Sequence, residues 1–330
     1  MGVASVTLVI ATASRYFAVM VSDRMVTVSQ DRRPIRIFDP SSNKSIVFIS
    51  SDCVLLFGYT GFAYLDQIPT DQWIAQELWG APIVADDSGS VPMVGGRRPG
   101  RKQINQILYG LRNRLRATPG GDQVEIMAVG YRYCRNRFTP VLIAFDGAVG
   151  TLKSPMMTMR PATDKAGREA MIGTIPARAA IDEARSEAPT LQRSNELQLA
   201  AHVASIHTST IRKTAAKTVT VGPHVMKIMV PTSHHPSWGR GPWQRRIVCQ
   251  FDPLDPQAGT IDDATSALGA PSAFSPWVVT DVGFQPAAFM GSMGIVRNFR
   301  GWSVELSQTR PNATLGPSVF TAQRRPAMPR

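Results

Sequence analysis

Two apolar, β-rich runs near the start of the chain, residues 6–11 (VTLVIA) and 16–21 (YFAVMV), are separated only by the small polar stretch 12–15. A strand with one face in water alternates apolar and polar residues, and neither run does. The spacing therefore predicts a hairpin whose two strands are buried on both faces. Shorter strand candidates follow at residues 25–29, 35–38, 45–50 and 53–57, punctuated by turn formers such as Asp39, Pro40, Ser41, Ser42 and Asn43. The first sixty residues read as an antiparallel β segment.

After Gly61 the pattern changes. Residues 62–79 supply helix formers, with Asp71 placed as the N-cap after the break at Pro69. Residues 80–100 hold Pro82, Pro92 and Pro99 and read as a loop or insertion. Ile104, Ile107, Leu108, Leu111 and Leu115 then recur at helical spacing, which makes 101–116 an amphipathic helix with one basic face. Residues 124–133 and 138–145 form a second hairpin turning through 134–137. Pro176 suits a first helical position, giving a helix over 177–188, and Ser194 caps another that runs to Arg212. Strand returns at 219–221 and 225–230.

Strands, two helices, strands, two helices and strands again suit two sheets between helical layers: an α+β, four-layer αββα sandwich over residues 1–230. Beyond Pro231 the composition shifts to Pro, Gly, Ser and Trp. Residues 231–330 read as a C-terminal extension, partly β and partly loop, with weak strand candidates at 247–251, 277–282 and 301–306.

The formal net charge of +12 would attract acidic partners, nucleic acid included, without naming one. No run approaches the roughly 18 uninterrupted apolar residues of a membrane span, and no basic stretch followed by an apolar core opens the chain, so a cytoplasmic protein is expected. Cys53, Cys134 and Cys249 are far apart in sequence and read as reduced thiols. His202 and His207 lie five apart, which places them on different helix faces, and His234-His235 sits in a Pro-rich loop. No metal or cofactor is expected.

Thr7-Leu8-Val9-Ile10, the turn Ser22-Asp23-Arg24, Lys44 ahead of an apolar strand, and Gly58-Tyr59-Thr60-Gly61 ahead of a helix together resemble proteasome β subunits and their bacterial relatives, which are N-terminal-nucleophile hydrolases. The likeness runs to about residue 230. Asp23 stands sixteen positions after Thr7, the separation that family keeps between its nucleophilic threonine and the aspartate of the first hairpin; Lys44 follows twenty-one later, slightly long. The resemblance implies a threonine peptidase or related amidase acting on a peptide or amide substrate, in a homo-oligomer. Whether an unfoldase is a partner is left open. A threonine hydroxyl is a weak nucleophile, and an N-terminal threonine carries its own base in the adjacent α-amine. Lys44 would favour the neutral amine, Asp23 would hold Lys44, and Gly61 would offer a backbone N–H to an oxyanion. Thr174, after Gly173 and before Pro176, matches the family's hydroxyl that packs against the amine.

Two departures accompany the likeness. The helix that should end in an Arg-Asp pair followed by a serine ends in Arg212-Lys213, which leaves Thr218 as the substitute hydroxyl and removes an acid that orients the amine region. Residues 1–6 also precede Thr7 and would block its amine. Cleavage after Val6 would release it, as would translation starting at a GTG codon for Val6 followed by loss of the initiator. Two further readings stand beside the hydrolase: a noncatalytic proteasome-like assembly or binding subunit, and a nucleic-acid binder acting through the arginines between Arg97 and Arg116. Zinc spacing, an RNP-like motif and helix-turn-helix punctuation, which would favour the last, are not found.

Overall fold

The computed structural model describes residues 4–5, 8–14, 17–28, 36–39, 42–50, 53–80, 94–95, 104–134, 137–146, 168–172, 196–231, 244–251, 277–280, 283–286 and 301–307. The predicted first hairpin is β2 (Val9–Ala13) and β3 (Phe17–Asp23), every residue of both being buried. Its turn is closed by Ser14, whose N–H and hydroxyl both donate to the Phe17 carbonyl.

Two large sheets carry the fold. In the first, β10 (Val94–Gly95), β17 (Gly283–Pro286), β16 (Trp277–Thr280), β6 (Ser45–Ile49), β7 (Cys53–Phe62), β11 (Val124–Cys134) and β12 (Arg137–Asp146) lie side by side in that order. The short β1 (Ala4–Ser5) pairs with the end of β7, and β4 (Val26–Val28) pairs with β5 (Arg36–Asp39) in a separate two-stranded sheet. Only β16 and β6 run parallel among the described pairs of the first sheet. The second sheet is antiparallel throughout its described pairs, in the order β13 (Arg168–Ile172), β2, β3, β14 (Val225–Pro231), β15 (Gln244–Phe251) and β18 (Gly301–Ser307). Residues 231–330 thus supply strands to both sheets.

Alternation decides what each strand faces. Val9, Ala11, Ala13, Ala18 and Met20 of the second sheet meet Val47, Val54, Leu56, Met127 and Val129 of the first in one apolar cluster between the sheets. The intervening residues Leu8, Ile10, Val19 and Val21 point the other way, onto Ala200, Ala204 and Ile211 of helix α3 (Glu196–Ala215). On the far side of the first sheet, Ile46, Phe48, Leu55 and Phe57 pack against α1 (Thr70–Trp79) and α2 (Ile104–Ala117) through Trp73, Ile74, Leu108 and Leu111. The apolar runs of the first hairpin show no polar alternation because they have a sheet on one side and a helix on the other.

Two expectations are corrected at element ends. The helix predicted from residue 62 begins at Thr70, because residues 64–69 fold into a hairpin of β8 (Tyr64–Leu65) and β9 (Ile68–Pro69) around Asp66 and Gln67, both at positive φ. Thr70 is fastened to the end of β7, its N–H donating to Ala63 O and its hydroxyl to Phe62 O. Asp71 is therefore inside the first turn rather than at the N-cap, which is Pro69. Residues 219–221, read as strand, form a turn between α3 and β14. The helix expected over 177–188 lies outside the described residues.

Candidate active site

Asp23 ends β3, where the strand stops because its carboxylate takes over the hydrogen bonding. Oδ1 accepts the Leu8 N–H at 2.9 Å; Oδ2 accepts the Met25 N–H at 3.2 Å, the Gly222 N–H at 3.1 Å and Lys44 Nζ at 3.1 Å. The Asp23 N–H in turn donates to Leu8 O at 3.1 Å, so Asp23 and Leu8 grip each other through two bonds. Donors from separate chain segments converge on one buried carboxylate.

Lys44 stands just ahead of β6, its carbonyl accepting the Tyr59 N–H of β7 at 3.2 Å. The side chain turns inward, 1 % exposed, and Nζ donates to Asp23 Oδ2 and to Met25 O. A buried ammonium is tolerated only where paired and hydrogen-bonded, and this one is both. Beside the pair, Ser22 and Ser45 hydroxyls lie 3.3 Å apart.

Gly61 sits on β7 between two partners, Ser5 of β1 and Val124 of β11. Its φ of +100° demands glycine, and so does its closeness to Gln123 O, which a Cβ would strike. The residues flanking Thr7 are therefore tied to the site from both sides: Ser5 to Gly61, and Leu8 to Asp23. Thr7 itself and Thr174 lie outside the described residues.

Thr218 occupies the turn after α3. Its Oγ1 lies 2.8 Å from Thr220 Oγ1 and accepts the Thr220 N–H at 3.3 Å, a local arrangement that shapes the turn leading to Gly222. Lys213, where an acid was expected, is exposed on the last turn of α3 with Arg212, a placement that complements the helix C-terminus.

The structure thus unites Asp23 with Lys44 and adds a participant that sequence reasoning missed, the backbone N–H of Gly222. A Cβ there would stand 2.6 Å from Met25 Cβ, so glycine is what lets the turn close on Asp23. The Gly222-Pro223 pair was the available signal, since that dipeptide marks a turn rather than a strand.

Elsewhere, His207 on α3 sets Nε2 2.7 Å from the Thr12 hydroxyl of β2, and burial lowers its pKa to about 3. Cys249, buried in β15, has its thiol pushed up by burial, against the opposing charge of Arg24. Among the described residues no three His, Cys, Asp or Glu side chains gather as a metal site, and no helix is long and apolar enough to cross a membrane.

No protein-family profile matches the chain, and no curated protein matches it. Among solved structures, Anbu (ancestral beta-subunit) from Yersinia bercovieri is similar over 70 % of this chain and 90 % of its own, at 12 % identity and a TM-score of 0.39. That likeness is too loose to assign chemistry, which has to come from the residues of this chain.

Proposed function

We propose that this chain is a proteasome-β-like N-terminal-nucleophile hydrolase of amide bonds, built as a four-layer αββα sandwich, with Thr7 as nucleophile once its amine is exposed. The observation that carries the reading is the Asp23 carboxylate holding both the Lys44 ammonium and the backbone N–H of Leu8, the residue directly after Thr7. A carboxylate so placed fixes a cation and the start of β2 as one unit. A purely structural ion pair would be an expensive way to do so, since burying charges recovers little net stability.

In this mechanism the α-amine of Thr7 takes the hydroxyl proton as Oγ1 attacks the substrate carbonyl carbon. The Lys44 charge favours the neutral amine, and the Gly61 N–H faces the developing oxyanion. The amine then gives its proton to the leaving nitrogen, and water hydrolyses the ester on Thr7. Asp23 is a positioning residue, acting through Lys44. Thr174 and Thr218 are proposed as hydroxyls around the amine, the protein as a homo-oligomer, and residues 231–330 as an elaboration of the hydrolase domain.

This chemistry requires the Val6–Thr7 bond to be opened. Intact mass and N-terminal sequencing of protein purified from its host are expected to give a chain starting at Thr7, with amide hydrolysis abolished in Thr7→Ala. A purified chain still carrying Ser5, or full hydrolysis by Thr7→Ala, would sink it. The exposed Lys213 at the position expected for an acid favours a second reading, a noncatalytic assembly subunit, which the uncut chain would support.

A further inference from the structure

Lys44 is tied to β7 on one side: its carbonyl accepts the Tyr59 N–H, and β6, which begins at the next residue, pairs with β7 from Ser45 to Ile49. The other side of β6 is closed by β16, a strand of the C-terminal extension, in the parallel register Trp277↔Ile46, Val278↔Val47, Val279↔Phe48 and Thr280↔Ile49. This register starts at Ile46, close behind Lys44. β16 thus decides whether the strand leading out of Lys44 is an interior strand or an edge. Strand ends without neighbours open most readily, and Lys44 stands at such an end.

The same strand seats the other shoulder of the site. Trp277 and Val279, 7 % and 0 % exposed, pack with Ile46 and Phe48 of β6 and with Trp73 and Ile74 of α1 in one cluster. α1 is in turn fastened to the chain just past Gly61, since Thr70 donates its N–H to Ala63 O and its hydroxyl to Phe62 O. β16 therefore supports both the strand that follows Lys44 and the helix that anchors the segment after Gly61. Asp23 stands farther from the extension, because β14 lies between its strand and β15.

The Lys44 ammonium is 1 % exposed and donates to Asp23 Oδ2 at 3.1 Å and to Met25 O. A buried ammonium that leaves its carboxylate must reach water, and opening at the start of β6 gives it the route. We propose that β16 is a conformational clasp on the candidate site: docked, it locks Lys44 against Asp23; undocked, it lets the start of β6 open and Lys44 turn to solvent. The C-terminal extension thereby governs when the lysine is in place. Control of Thr7 release through Lys44 rests on the hydrolase reading, whereas the clasp itself does not.

The full chain carries the test, in two variants that each remove the same two methyl groups from the same apolar cluster. Val279→Ala loosens β16; Val141→Ala, at a position 3 % exposed on β12, loosens the far end of the same sheet. Each is treated with an N-hydroxysuccinimide acetate, and acetylation of Lys44 is timed by peptide mass spectrometry, with thermal melts to confirm that both are folded. Val279→Ala is expected to speed Lys44 acetylation about tenfold or more, and Val141→Ala to leave it within about twofold of the parent. Equal acceleration in both would mean that Lys44 is reached only by global unfolding, and no acceleration in Val279→Ala would mean that β16 does not hold it; either result overturns the clasp. Hydrogen exchange of the unmodified chain decides the matter without a variant: β6 and β16 are expected to exchange together, with the β11–β12 hairpin outlasting both, and a β6 that stays protected after β16 has exchanged would overturn the proposal. Lys44 labelling is read whether or not the Val6–Thr7 bond is opened, so loss of the hydrolase reading and loss of the clasp are separate results.

Discussion

Both oxygens of the Asp23 carboxylate are engaged by donors, three of them backbone N–H groups that cannot move away. Asp23→Asn would turn an amide NH2 toward one of those donors and leave Lys44 as a buried cation without its counter-charge; breaking a buried pair this way costs about 3–5 kcal/mol. Lys44→Met leaves the carboxylate with its three N–H donors and is expected to cost less, about 1–3 kcal/mol. Urea melts of the two variants give the order directly. His207 sets a second residue-scale expectation. Its folded pKa of about 3 is below the ordinary 6.5, so the unfolded chain binds the extra proton. The contribution is whole above pH 6.5 and declines toward pH 3, with a limiting slope of about 1.4 kcal/mol per pH unit. Denaturant melts between pH 7 and pH 5 should show that decline, and His207→Gln should flatten it. Asp23 and Lys44 were legible from residue type and spacing, because a turn acid and a loop lysine in that order match a known pattern. Gly222 was legible only as a turn, from the Gly222-Pro223 pair, and not as a partner of Asp23, because its contribution is a backbone N–H, which every non-proline residue has.

At the scale of elements, periodicity located the interiors of the described helices and the two long hairpins, and was weakest where side chains compete with the backbone at the ends. Residues 62–69 have helix-compatible composition, yet the tie between Thr70 and the end of β7 leaves them only a tight hairpin. Two glycines separate the roles such residues play. Gly61→Ala would drive a Cβ into Gln123 O and hold alanine at φ +100°, so a loss of at least about 2 kcal/mol is expected. Gly110→Ala meets open space in a helix and should gain about 0.5–1 kcal/mol. Thermal melts of the pair, moving in opposite directions, check both at once.

For the whole molecule, sequence composition marks a change at residue 231, whereas hydrogen bonding continues across it. β15 extends the second sheet from β14, with Cys249 fully buried, and β16 lies against β6 with Val279 in the core. A chain ending at residue 231 would bare an edge of each sheet, so it is expected to lose its cooperative melt and to elute as aggregate on gel filtration, an outcome that a monomeric, folded 1–231 fragment would refute. Three of the strands beyond residue 231 were legible, as the candidates at 247–251, 277–282 and 301–306; which sheet each completes was not, because a short strand pairing with a distant one leaves no period that names its partner.

The parallel pairing of β16 with β6 joins positions more than roughly two hundred residues apart in the chain. At about 5–20 residues per second, a ribosome delivers β16 on the order of 10–50 s after β6. Throughout that interval β6 has β7 beside it and nothing on its other side from its own sheet, a bare strand edge inside a crowded cell. The nascent chain is therefore exposed to wrong partners longest along the edge of β6, the strand that directly follows Lys44.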